Sequence, residues 1–261
     1  MLRFISLSSG SCGNCYYLGT EKEGIIIDAG VSLRKMKKVF QENNINMDTV
    51  MGIFVTHDHL DHIRFLGSYC KKLLKPVYAT EAVHAALAKH TFTSQSIGLC
   101  RKVLNGEIVL GGITVSSFEV PHDATQTVGY AVSIGGYKFV IMTDLGRITD
   151  EAVALAREAD ALVIESNYDV DMLITGPYTK ELKMRIMQGH GHMSNEDCAS
   201  ALRRIWHPGL RNIFLCHLSQ NNNTPQNAFR CASMALSEIG AEDCMLTCLP
   251  RTEPSEIFTL I

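Results

Sequence analysis

Residues 53–62 read Ile53-Phe54-Val55-Thr56-His57-Asp58-His59-Leu60-Asp61-His62. An apolar run suited to a buried strand stops at a loop with the pattern H-x-H-x-D-H. Imidazole and carboxylate are good ligands for zinc and its neighbours, and His57, His59, Asp61 and His62 supply four such groups within six residues. Successive side chains that splay apart on such a loop can serve two metal ions. The loop therefore predicts a metal site at the end of a strand.

The same arrangement recurs along the chain. Apolar runs end at Asp28 (IIID), His122 (FEVPH), Asp144 (VIMTD), Glu165 (LVIES) and His217 (IFLCH). A single strand ending in Asp is ordinary turn chemistry. Histidines and acids repeated in that role imply that the strand ends meet at one place.

Around these runs the pattern mixes hairpins with strand-helix units. Gly111-Gly112 turns between 107–110 and 113–120, and Gly135-Gly136 between 129–134 and 137–142. Ser32 caps a helix with Leu33, Met36 and Phe40 at helical spacing. Helices are expected over 62–75, 80–90, 150–159 (capped by Asp150), 178–188, 195–205 and 225–239, and strands over 162–164, 212–216, 245–249 and 256–261. Hairpins inside such an alternation predict an α/β (α+β) fold of two mixed β-sheets face to face with helices outside, as one domain over residues 1–261.

Bulk properties narrow the function classes. The 261 residues are 46% apolar, which supports a large core and argues against wholesale disorder. No apolar run reaches membrane-spanning length, and MLRFISLSSG lacks the long apolar segment of an export signal. Nine scattered cysteines then read as reduced thiols, and a cytoplasmic location is expected. With a net charge of −3, a nucleic acid would have to be held by a local basic patch. Four clusters are available: 34–38, 71–75, 180–185 and Arg203-Arg204.

Two further segments carry chemistry. Ser8-Ser9-Gly10-Ser11-Cys12-Gly13-Asn14-Cys15 follows the first strand. Its glycines permit turns that aim N–H groups at an anion, and Ser9, Ser11 and Asn14 add side-chain donors. It reads as a loop contacting phosphate or base, with a purely structural turn as the alternative. A metal on Cys12 and Cys15 lacks a second ligand pair at suitable spacing. His192, in Gly191-His192-Met193-Ser194-Asn195, precedes a helix whose cap is Ser194 or Asn195. That helix end suits a phosphate, and His192 is the candidate proton donor, ahead of His190.

Asp28, HDHLDH at 57–62, His122, Asp144 and His217 resemble, in order, the five motifs of metallo-β-lactamase-fold hydrolases. SSGSCGN at 8–14, VPHDA at 120–124, TDLG at 143–146, ESNYD at 165–169, GHMSN at 191–195 and LSQNNNTP at 218–225 resemble the YycJ/WalJ branch. The resemblance spans nearly the whole chain. It implies a four-layer αββα sandwich and a cofactor of two divalent metals, zinc or manganese with iron as an alternative. His57, His59 and His122 would hold one ion and Asp61, His62 and His217 the other, with Asp144 bridging and Asp28 orienting a ligand histidine. Asp28, Asp61 and His192 are then the catalytic candidates. Histidine at 59, where redox di-iron relatives carry Glu, points to hydrolysis.

A bridged metal pair about 3.5–4 Å apart makes hydroxide available at neutral pH and neutralises a phosphate oxygen, which suits a phosphodiester. The expected activity is a nuclease with metal-bound hydroxide as nucleophile. The resemblance implies DNA ahead of RNA, exonucleolytic 5′-to-3′ action and a place in DNA repair. The alternatives are a small-molecule hydrolase on the same fold, such as a cyclic phosphodiesterase or thioesterase, and a regulatory module without turnover.

Overall fold

The computed structural model describes residues 1–260. Its first sheet begins with a hairpin, β1 (Leu2–Gly10) and β2 (Gly13–Gly19), followed by β3 (Gly24–Ile27). Helix α1 (Leu33–Glu42) then leads to β4 (Val50–Phe54), with Ser32 accepting from the Lys35 amide as expected. After α2 (Leu60–Ile63) and α3 (Leu66–Leu73), β5 (Val77–Ala79), α4 (Glu81–Leu87) and β6 (Arg101–Val103) complete this half. The second sheet takes β7 (Ile108–Leu110), β8 (Ile113–Glu119), β9 (Val128–Ile134) and β10 (Tyr137–Met142). It continues with α5 (Asp150–Ala156), β11 (Ala161–Glu165), α6 (Val170–Thr175), α7 (Lys180–Met187), α8 (Asn195–Ile205) and β12 (Asn212–Cys216). Helix α9 (Pro225–Glu238) and β13 (Met245–Cys248) follow, and β14 (Phe258–Leu260) returns to the first sheet.

The spatial orders are β14-β1-β2-β3-β4-β5-β6 and β13-β12-β11-β10-β9-β8-β7. Each sheet is mixed: β3 to β6 run parallel, as do β10 to β13, and the hairpins pair antiparallel. Three apolar clusters separate the layers. One packs α1, α3 and α4 against the first sheet, one packs α5, α8 and α9 against the second, and one fills the space between the sheets. In the last, the Phe4 ring lies 5.0 Å from Phe139 and 4.8 Å from Phe214 across the sandwich. Truncating Phe4 to Ala would cost about 3–5 kcal/mol through lost contact and the cavity left behind. The αββα architecture expected from the sequence is therefore present.

Some local expectations are corrected. The single helix expected over 62–75 is two, because the Ala29 amide donates to the His62 carbonyl and the Phe65 amide to the Ala29 carbonyl, turning the chain between them. Thr149, not Asp150, caps α5, accepting from the Ala152 amide at 3.1 Å, and the helix ends at Ala156. Strands β5 and β6 and helix α6 are too short to carry a readable period. The stretch around residues 8–15 is not a free loop: Ser9 pairs with Asn14 and Gly10 with Gly13, so only Ser11 and Cys12 form the exposed turn.

Candidate metal centre

Because β1, β3, β4, β8, β10, β11 and β12 all run toward one edge of the sandwich, their C-terminal ends converge there. Asp28 follows β3, the His57–His62 loop follows β4, His122 follows β8, Asp144 follows β10, Glu165 ends β11 and His217 follows β12. Backbone conformation marks the same edge. Asp28 (φ 60°), Asp144 (φ 53°) and His217 (φ 53°) adopt the left-handed region. Such conformations cost a non-glycine residue free energy and persist only where the surroundings impose them. The loops at this edge also pack closely: a Cβ on Gly30 would sit 1.7 Å from the Asp61 carbonyl, so only glycine lets the two loops meet.

Five histidines are each held by one ring nitrogen and leave the other facing its neighbours. The His62 Nδ1 lies 2.7 Å from Asp28 Oδ2, the His57 Nδ1 3.0 Å from Thr56 Oγ1, and the His122 Nδ1 2.6 Å from the Gly191 carbonyl. The His59 Nε2 lies 3.2 Å from the Asp123 carbonyl, and the His217 Nδ1 2.8 Å from Glu165 Oε1. A hydrogen bond at one nitrogen fixes the tautomer and aims the lone pair of the other.

Those second nitrogens gather in sets. Donor atoms of His57, His59 and His122 lie within 4.8 Å of one another, as do those of Asp61, His62 and His217. Asp144 stands between the sets: Oδ2 is 3.0 Å from His62 Nε2, and Oδ1 is 3.0 Å from His217 Nδ1 and 3.9 Å from His122 Nε2. The Nε2 atoms of His57 and His217 are buried with no hydrogen-bond partner. A buried polar atom without a partner is costly unless something fills the role. The donor set and these orphaned nitrogens fit divalent metal ions, and the seven ligands read from the sequence are together.

The charges balance within the cluster. Burial would raise the Asp144 carboxyl, but His217 and His62 hold it well below the usual carboxylate range. Burial would lower His217, yet Asp144, Asp61 and Glu165 push it up to about 10. His57 is pushed well below its ordinary value by burial and by the neighbouring His62.

Other expected residues are placed differently. Ser9 is buried: its hydroxyl is 2.9 Å from the Tyr16 hydroxyl and accepts from the His217 amide at 3.0 Å. Asn14 is buried and donates to the Gly10 carbonyl and to Asp61 Oδ2. Gly10 and Gly13 are likewise enclosed, so of this stretch only Ser11 lines the cavity. Ser194 is spent on capping α8, accepting from the Asp197 amide at 3.0 Å, and Asn195 is buried against Ser166 and Asn223. The start of α8 is therefore engaged, because its own turn and the segment after β11 take its polar groups. His192 does line the cavity beside the metal-ligand cluster, with Nδ1 2.8 Å from Glu165 Oε1. Burial opposes its charge, but Glu165 raises it above its ordinary value. His190 lies in a separate groove.

Three contributors went unassigned in the sequence. Glu165 receives His192, His217 and the amides of Leu145 and Met193. Its signals were its place as one more strand-ending acid and the start of the ESNYD motif. Thr56 donates to Asp28 and accepts from His57, and Asn167 donates to the His217 carbonyl at 2.7 Å. Thr56 carries no signal beyond being polar, and Asn167 only its place in the ESNYD motif. The Arg203-Arg204 cluster is taken, Arg203 pairing with Glu238 and Arg204 with Asp150, and Lys183 donates to the carbonyls of Ile174 and Gly176. Arg185 does border the cavity, its Nε donating to Asp123 Oδ2.

The fold and this constellation define a metallo-β-lactamase-type hydrolase, and a model of the β-lactamase superfamily domain matches residues 24–217. The exodeoxyribonuclease YycJ of Bacillus anthracis is 37% identical over 240 residues, 92% of this chain and 90% of that protein. The exodeoxyribonuclease WalJ of Streptococcus pneumoniae serotype 2 is 33% identical over 228 residues, 87% and 85% of the two chains. The chain belongs to the metallo-β-lactamase superfamily, in its YycJ/WalJ branch. The crystal structure of the metallo-β-lactamase-fold protein YhfI from Bacillus subtilis shares the fold at a TM-score of 0.70, with 15% identity over 97% of this chain and 98% of that one. No described helix is long and apolar enough to cross a membrane.

Proposed function

We propose that the chain is a single catalytic domain that removes nucleotides from the end of a DNA strand, working 5′-to-3′ in the service of repair, with two divalent metal ions, zinc or manganese or else iron. The observation that carries this reading is the array of five histidines, each oriented by a separate partner, whose donor atoms gather in two sets on either side of Asp144. The names of the relatives supply the substrate class. One ion would rest on His57, His59 and His122, the other on Asp61, His62 and His217, with Asp144 between them. When bound, such ions make water nucleophilic at neutral pH and neutralise charge on phosphate.

The chain's own groups do the rest. Asp28 and Glu165 orient His62 and His217. His192 holds a proton through Glu165 at Nδ1 and delivers one from Nε2 to the departing alkoxide. Ser11 and Asn167 stand at the cavity edge where a phosphate oxygen needs donors.

Digestion of end-labelled single- and double-stranded DNA and RNA, with zinc and with manganese, tests the proposal. Stepwise release of mononucleotides from the 5′ end of DNA is expected, and it is lost in His57→Ala and Asp144→Ala. Hydrolysis of a cyclic phosphodiester or thioester with every strand left intact overturns it.

A further inference from the structure

The cavity over the metal ligands has a second wall that metal chemistry does not need. Its volume is about 280 Å³. Besides His59, Asp61 and His217 it is bounded by Tyr178, Leu182 and Ile186, from the segment that carries α6 and α7. That segment is fixed in place by a small apolar cluster of its own, in which Leu173, Ile186 and Tyr168 are buried and Val170 and Tyr178 pack against them. Two of the wall residues are not consumed by that packing. Leu182 is 37% exposed, and Tyr178 is half-buried with its hydroxyl accepting from Asn221 Nδ2 at 3.3 Å. At the rim, Arg185 spends its Nε on Asp123, and the terminal N–H groups of its guanidinium remain to bind an anion.

An apolar and aromatic face left open to water, in the same cavity as the candidate metal ligands, suits a ligand whose phosphate is attached to something flat and apolar. A nucleobase meets that description. Aromatic stacking accepts any base because every base has a π-face. The size sets a second condition. A cavity near the lower bound for small-molecule pockets holds about one nucleotide and leaves no room for a pairing partner.

We propose that Tyr178, flanked by Leu182, is the stacking platform for an unpaired terminal base, and that Arg185 clamps a phosphate of the same strand. This rests on the reading of the site as an end-acting nuclease and specifies its substrate: the terminal base enters singly, so a paired end must fray first. Tyr178 and Arg185 thereby determine specificity without touching the reacting atoms.

The test measures KM and kcat on end-labelled single strands that carry either an ordinary or an abasic terminal nucleotide. Tyr178→Ala is expected to raise KM on the ordinary strand on the order of 10- to 100-fold. Tyr178→Phe, which keeps the ring, stays close to the parent. On the abasic strand the parent itself loses affinity and Tyr178→Ala adds nothing further. The parent prefers ends with an unpaired terminal base over blunt paired ends, and Tyr178→Ala loses that preference. Arg185→Ala reduces the slope of log KM against log salt by about 0.7, the increment for one phosphate on a single strand. The inference is overturned if Tyr178→Ala weakens ordinary and abasic strands equally, or if Tyr178→Phe is as impaired as Tyr178→Ala at an unchanged melting temperature. A parent enzyme that degrades neither strand with manganese or zinc overturns the nuclease reading itself, and that outcome is recognised by the inertness of the unmutated protein.

Discussion

The Oε1 atom of Glu165 lies 2.8 Å from Nδ1 of His217, and both residues are buried. The same oxygen is 2.8 Å from Nδ1 of His192. One carboxylate thus aims a candidate metal ligand and a candidate proton donor. Glu165→Gln keeps the shape and removes the charge. Metal affinity, read by competition with a chelator, is expected to fall about 10- to 100-fold. An affinity equal to the parent's would remove Glu165 from the metal centre.

Asp28 does for His62 what Glu165 does for His217. It also accepts from the Thr56 amide and hydroxyl, both at 2.9 Å. Its left-handed backbone is one that asparagine tolerates, so Asp28→Asn removes the charge and turns one accepting oxygen into a donor without disturbing the backbone. Metal affinity at the Asp61, His62 and His217 set should drop by a similar factor. The far-UV spectrum should not change.

If His192 protonates the leaving group, its importance depends on what leaves. His192→Ala should lower kcat on an oligonucleotide by about 10²- to 10⁴-fold. On a p-nitrophenyl phosphodiester, whose leaving group needs no proton, the loss should be much smaller. Equal losses on both substrates would assign the ring another duty.

Metal removal should show itself in the pH dependence of stability. In the metal-free protein His217 is held up to about 10, above its ordinary value. A raised histidine stabilises the fold fully below its unfolded value, about 6.5, and loses that contribution as pH climbs toward 10. The melting temperature of the chelated protein should therefore fall between pH 7 and pH 10. Loaded protein, in which a metal on His217 would keep the ring neutral, should not show that component. Metal binding at pH 8 should release protons, and the calorimetric enthalpy should change with the buffer's ionisation enthalpy. A buffer-independent enthalpy would contradict the charge assignment.

Thiol chemistry offers an inexpensive check on the fold. Cys12 is the exposed cysteine of the nine, at the tip of the first hairpin. Burial pushes Cys70 up to about 12 and Cys244 and Cys248 up to about 11. At pH 8 one thiol should react quickly with a disulfide reagent and the others only on unfolding, because the thiolate is the reactive species. Cys12→Ser should remove the fast phase.

The strand-ending histidines and acids were legible because a charged group after an apolar run has few explanations, and six such ends share one. The hairpins at Gly111-Gly112 and Gly135-Gly136 were legible because that turn demands those residues. Thr56 was not, since a neutral polar residue becomes informative only when its partner is known, and the ESNYD motif marked Asn167 without revealing that it holds the His217 carbonyl. The composition of residues 8–15 suggests substrate contacts at Ser9 and Asn14, whereas strand pairing turns them inward, where Ser9 accepts from the His217 amide and Asn14 donates to Asp61. The wall bearing Tyr178 is built by tertiary packing, and no local period announces it.

The left-handed conformations at Asp28, Asp144 and His217 set working chemistry against ease of folding. Glycine would suit these three backbones but would leave the buried partners of each side chain unpaired, so the conformational cost is outweighed by what the side chains hold. Engineering a hardier protein by placing glycine where the backbone turns left-handed would therefore fail along this edge.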